Sequence, residues 1–105
     1  MQTSYAPQEE TETALTKELV VRNRSGIHAR VSTMIAQRSK EFVSEIRLRN
    51  GKVVADCRSV LDLLSLGAAN GTTLCLEATG EDAAEAINII TALFEARFNE
   101  DEESL

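Results

Sequence analysis

The stretch from Ser44 to Cys57 limits the fold more than any other part of the chain. Ser44 to Arg49 alternates, with Ile46 and Leu48 on one face and Glu45, Arg47 and Arg49 on the other. That is the period of a half-buried strand. Asn50-Gly51 follows, a pair that accepts the positive φ angles of a tight hairpin turn. A two-residue turn there pairs Arg49 with Lys52, Leu48 with Val53 and Ile46 with Ala55. Val53, Ala55 and Cys57 then join Ile46 and Leu48 on one apolar face.

The remaining segments supply partners for that face. Lys17 to Arg22 reads as a strand with Leu19 and Val21 facing one way. Asn23-Arg24-Ser25-Gly26 is a loop signal. From Ala29 to Ser39 the spacing is helical, with Val31, Met34, Ile35 and the stem of Arg38 on one side. Ser59 to Leu66 reads as a short helix with Ser59 as its N-cap. Thr72 to Ala78 is a strand with Leu74, Leu76 and Ala78 on one face. Asp82 and Glu85 resemble a capping box. The helix that follows runs to about Phe98, with Ala83, Ala86, Ile87, Ile90, Leu93, Phe94 and Arg97 along one stripe. The order is β-α-β-β-α-β-α. Four strands with one apolar face each need a cover, and three helices provide it: a two-layer, open-faced α+β sandwich over a four-stranded antiparallel sheet.

With 105 residues there is room for one core. No apolar run approaches the roughly 18 residues of a membrane span, and no secretory signal is visible, so a cytoplasmic location is expected. Cys57 and Cys75 form no CxxC motif and read as structural. One histidine excludes a His-rich metal site, and no metal or cofactor is expected. The formal net charge is −6, but three acids lie in residues 1–16 and four in residues 99–105, with no base in either. The middle holds ten acids against all eleven basic residues. That balance, with no tryptophan and one tyrosine, supplies neither the basic face nor the stacking platform of a nucleic-acid binder. The expected organisation is a domain over 17–98 between a flexible acidic extension, 1–16, and a solvated acidic tail, 99–105.

The only histidine, His28, sits where the first helix begins. A helix N-terminus offers unpaired N–H groups and the positive end of the macrodipole to a phosphate-sized anion. Arg30 adds a guanidinium that grips phosphate, and Arg22 and Arg24 add positive field. A neutral imidazole is a competent nucleophile at cellular pH. Together these make a coherent phosphoryl-accepting site. From spacing alone, a lone loop histidine is more often a solvated surface residue, and no spacing specifies a hydrolase triad.

Three segments carry a family resemblance. Gly26-Ile27-His28-Ala29-Arg30, then Arg58-Ser59-Val60-Leu61-Asp62-Leu63-Leu64-Ser65-Leu66-Gly67, then Gly71-Thr72 and Thr79-Gly80-Glu81-Asp82 resemble HPr. This is the histidine-containing phosphocarrier family of the bacterial phosphotransferase system, and the resemblance covers about residues 16–97. It implies that His28 accepts a phosphoryl group on Nδ1 from phosphorylated enzyme I, itself charged by phosphoenolpyruvate, and passes it to an enzyme IIA component. Arg30 would stabilise the phosphate. Ser59 would be the regulatory serine, a target of an HPr kinase/phosphorylase. Ala29, Val31, Leu61 and Leu64 would face partners, and the carrier would be a cytoplasmic monomer rather than an enzyme.

The residues leave alternatives open. Ser59 can be a plain N-cap, and Leu61 and Leu64 can belong partly to the core. Val31 stands where most of the family has a proline that preorganises the first helical turn. Asp62 puts a negative charge where the family often has a small or basic residue. Both departures are compatible with a regulatory carrier of a nitrogen-related or catabolite-control branch. A binding module without phosphorylation would not need His28 beside Arg30.

Overall fold

The structure, a computed structural model, describes residues 13–100; most of the expected N-terminal extension and residues 101–105 lie outside the described residues. The elements follow in the expected order: β1 (Leu15–Val20), α1 (Ala29–Ser39), β2 (Glu45–Asn50), β3 (Val53–Asp56), α2 (Val60–Leu64), β4 (Thr73–Thr79) and α3 (Ala83–Glu95). A short turn at Arg97–Asn99 ends the described chain. The strands form one antiparallel sheet in the order β1-β4-β2-β3.

Alternation explains the layering. Along β4, Leu74, Leu76 and Ala78 are buried, while Thr73 is exposed and Cys75, Glu77 and Thr79 are only partly covered. Leu74 lies opposite Leu19 of β1, and Leu76 and Ala78 lie opposite Leu48 and Ile46 of β2. The inner face is closed by Val31 and Ile35 of α1, Leu63 of α2, and Ile90 and Phe94 of α3, all essentially buried. The outer face stays open and polar, with Arg49 donating to the Glu77 carboxylate at 3.0 and 3.2 Å. Cys57 is buried behind Ala55, and that burial pushes its thiol up to about 12, the setting of a packing residue. No helix of the described residues is long and apolar enough to cross a membrane.

Four expectations need correction. First, β1 begins at Leu15, opposite Ala78, so Leu15 and Thr16 belong to the sheet and not to the extension. Second, the hairpin turns on Gly51-Lys52. Asn50 pairs with Val53 and Leu48 with Ala55, and the left-handed backbone falls on Gly51, φ 62°. Asn50 stays in the strand because its side-chain amide donates to the Leu66 carbonyl at 2.9 Å. The slip is two residues, an even number, so the inward face is preserved. Only Val53, at the hairpin end, is left exposed.

Third, Asp82 is the N-cap of α3 but makes no side-chain capping bond. Its carboxylate instead accepts from the N–H groups of Val43 and Ser44, both at 3.0 Å, and from the Ser44 hydroxyl. Asp82 therefore ties the start of α3 to the start of β2. Fourth, α3 stops at Glu95 and leaves Arg97 exposed, because the chain turns left-handed at Arg97, Phe98 and Asn99 with φ of 56°, 53° and 59°. Such conformations cost roughly 1–2 kcal/mol per non-glycine residue. Full burial of the Phe98 ring offsets that cost, with its centroid 4.9 Å from Phe94 in an edge-to-face contact.

The hydrogen bond from the Ser44 hydroxyl, helped by the two backbone N–H groups, holds the Asp82 carboxyl below the usual aspartate range. A carboxyl lowered by folding stabilises the protein above its unfolded value, and that contribution is lost as pH falls through the folded value. Asp82→Asn should therefore lower the melting temperature at neutral pH and flatten its fall toward acid. Thermal melts taken down through the carboxylate range check this; equal acid slopes for the two proteins would contradict it.

Candidate functional site

The site is built on the loop between β1 and α1. The buried Asn23 side-chain amide donates to the Gly26 carbonyl at 2.7 Å, and the Asn23 backbone carbonyl accepts from Gly26 N–H at 3.3 Å and from the Asn70 side-chain amide at 3.1 Å. Ile27 N–H donates to the Ala68 carbonyl at 2.9 Å. This clamps the loop to the segment after α2. Gly26 is needed there on two counts. Its φ is +72°, and a Cβ at this position would stand 2.7 Å from the Ala68 oxygen and 3.0 Å from the Ala69 Cα.

His28 is the N-cap of α1. Its carbonyl accepts from Ser32 N–H at 2.8 Å, and its ring Nδ1 accepts from Arg30 N–H at 3.2 Å. An imidazole nitrogen that accepts is the unprotonated one, so the partners assign the proton to Nε2 and the lone pair to Nδ1. The Nδ1 lone pair thus lies at the head of α1, among the N–H groups that helix geometry leaves for an anion. The side chain is one-third exposed, open enough for a second molecule to reach.

Arg30 lies beside the ring. Its guanidinium donates to the Phe98 carbonyl at 3.0 Å and sits 3.2 Å from the Met34 sulfur. Half of the side chain remains exposed. Arg22, Arg24, Asn70 and Arg97 line a shallow depression, reached by the same loop.

One member of the site escaped the sequence reading. Glu100, expected in a solvated tail, comes back over the loop. One carboxylate oxygen accepts from Ser25 N–H at 3.2 Å, and the other lies 3.3 Å from His28 Nε2 and 3.9 Å from Arg30 Nη2. Partial burial pushes its carboxyl up, but the Ser25 N–H and the His28 ring more than offset this and hold it below the usual glutamate range. The only sequence signal was Phe98, four residues beyond Phe94, whose burial carries the chain toward the loop.

The other expected site residues fall in two groups. Ala29 is exposed at the first turn of α1. Val31 is fully buried, contrary to its expected place on the partner surface, because three residues past the N-cap the helix has turned inward. On α2, Leu63 and Leu66 point into the core, while Leu61 is 76% and Leu64 41% exposed, an apolar pair presented to solvent. Ser59 caps α2, its hydroxyl accepting from Asp62 N–H at 3.1 Å. The Asp62 carboxylate accepts from Asp56 N–H at 3.1 Å, holding α2 to the end of β3. Among the described residues no three His, Cys, Asp or Glu side chains come together as a metal site would require.

Gly26→Ala should destabilise the protein by ~1–3 kcal/mol, because the contact is with backbone that has to move and the φ is strained for alanine. Urea unfolding measures this. A variant as stable as the parent would contradict the clamp.

A family model described as "PTS HPr component phosphorylation site" matches residues 15–96. The phosphocarrier protein NPr of Shewanella violacea is 39% identical over 88 residues, which cover 84% of this chain and 97% of that protein. The phosphocarrier protein HPr of Cupriavidus necator is 37% identical over 89 residues, 84% of this chain and 99% of that one. A crystal structure of HPr from Thermoanaerobacter tengcongensis superposes with a TM-score of 0.79 at 29% identity, over 83% of this chain and 98% of that one. With the model spanning nearly the whole described domain and relatives aligned over almost their full length, the chain belongs to the HPr family of phosphotransferase-system phosphocarriers.

Proposed function

We propose that His28 accepts a phosphoryl group on Nδ1 from phosphorylated enzyme I, charged by phosphoenolpyruvate, and donates it to an enzyme IIA component. The observation that carries this reading is the orientation of the ring. Nδ1 holds a lone pair and faces the Arg30 N–H at the head of α1. A phosphoryl group on that nitrogen would meet helix N–H donors, with the Arg30 guanidinium within reach to neutralise its charge. On this reading the protein carries the phosphoryl group, and the phosphoenolpyruvate chemistry belongs to enzyme I. Its setting would be the cytoplasm, and it would work as a monomer. The exposed Leu61 and Leu64, with Ala29, form the surface that docks on each partner in turn.

A second reading concerns the branch served. The likeness to NPr as well as to HPr, with Val31 and Asp62 where the family differs, is compatible with a nitrogen-related or other regulatory branch as well as with sugar uptake. In a regulatory branch partners would read the phosphorylation state of His28. Ser59 is a poorer switch for an HPr kinase/phosphorylase here. A phosphate on its hydroxyl would share the first turn of α2 with the Asp62 carboxylate, a like-charge contact.

Incubation with phosphoenolpyruvate and the cognate enzyme I should add one acid-labile phosphoryl group, read by intact mass, to the wild type and none to His28→Ala. No gain on the wild type, or an equal gain on the variant, would contradict the assignment.

A further inference from the structure

Glu100 has no part in the carrier reading, yet its side chain is only 17% exposed and its carboxylate meets three groups of the site. It is held there by two features that tail composition does not supply. One is the left-handed turn of Arg97, Phe98 and Asn99. The other is the Phe98 carbonyl, which accepts from the Arg30 guanidinium. The chain thus returns to the same arginine that flanks the histidine.

We propose that Glu100 is a positioning residue for His28: its carboxylate takes the Nε2–H, holds the ring with the Nδ1 lone pair toward the N–H groups at the head of α1, and balances the charge that the ring acquires on phosphorylation. The proposal rests on His28 being the acceptor. In the forward step the Nδ1 lone pair forms the N–P bond. The bond from phosphorus to the donor's leaving atom breaks, and that atom keeps the electron pair. The ring already carries a proton on Nε2, so it becomes a phosphoimidazolium with one positive charge. The Glu100 oxygen at 3.3 Å from Nε2 faces that charge directly. In the return step the N–P bond breaks and its pair returns to Nδ1. Because Nε2 has kept its proton, a neutral imidazole leaves instead of an imidazolide anion, which is the easier departure. One carboxylate thus serves both directions without touching the phosphoryl group. Ser25 N–H, at 3.2 Å from its other oxygen, fixes the orientation of the carboxylate itself.

The test uses the full-length protein, with Glu100→Ala and Glu100→Gln compared with the wild type. Single-turnover phosphorylation by phosphorylated enzyme I should slow roughly tenfold in Glu100→Ala, as expected for lost orientation of a reacting group. Glu100→Gln, which can still accept from Nε2–H but lacks the charge, should fall between. The second readout is the ring itself: a nitrogen-15 correlation spectrum should show an Nε2–H peak protected from water exchange in the wild type and lost in Glu100→Ala. If the alanine variant fails to fold, as thermal melts would reveal, the glutamine variant carries the kinetic readout alone. Unchanged kinetics in either variant, or slower transfer with the Nε2–H peak intact in Glu100→Ala, would overturn the role of Glu100. A wild type that takes no phosphoryl group would instead overturn the acceptor reading beneath it.

Discussion

The clamp between two loops is the constraint on which the rest of the site depends. Gly26 packs against the backbone of Ala68 and Ala69, and Ile27 N–H donates to the Ala68 carbonyl. Through this contact the loop that starts α1 is set by the segment that leaves α2. Ala68 is itself buried against the core that the sheet provides. The direction of α1, and with it the ring of His28, follows from packing and not from the loop's own preferences. On the proposed reading, a histidine mounted this way is positioned by the fold, and the Arg30 N–H bond to Nδ1 is what it exchanges for the phosphoryl group.

The electrostatics of the site are local. The chain as a whole is acidic, yet the domain between the tails is nearly balanced. On the proposed reading, attraction for a phosphoryl group would therefore come from the head of α1 and from Arg30 beside it, over a few ångströms. Glu100 lies on the far nitrogen of the ring, so its negative charge works through the imidazole and away from the place where phosphate would sit. A small carrier needs this balance. The phosphoryl group has to be held firmly enough to survive transit and loosely enough to be passed on.

Much of this was legible in the sequence, and the failures have physical causes. The strand faces could be read because a period of two is strict and an even slip in register leaves it intact, as the hairpin at Gly51 shows. The histidine loop could be read because glycine, histidine and arginine each have a distinct use at a helix start. The hairpin register itself could not, since a tertiary bond from Asn50 to Leu66 outweighs the local preference of the Asn-Gly pair. The helical spacing put Val31 on the inward stripe with Met34 and Ile35, and its burial contradicts only the partner role carried over from the family resemblance. Asp82 looked like a local cap, and its bonds to Val43 and Ser44 cross 39 and 38 residues of chain. Glu100 was the least readable. Of the three left-handed residues only Asn99 has a preference for that backbone, and the turn is held by the burial of Phe98 and by the Arg30 bond to its carbonyl.

The claim at the centre of this account is that the Nδ1 atom of His28, and not Nε2, carries the phosphoryl group. Phosphorus-31 and nitrogen-15 NMR of the ring-labelled, phosphorylated protein would settle it directly. The account predicts a phosphorus–nitrogen coupling to Nδ1, with the proton still on Nε2. Phosphorus bonded to Nε2, the nitrogen that faces Glu100, would contradict it.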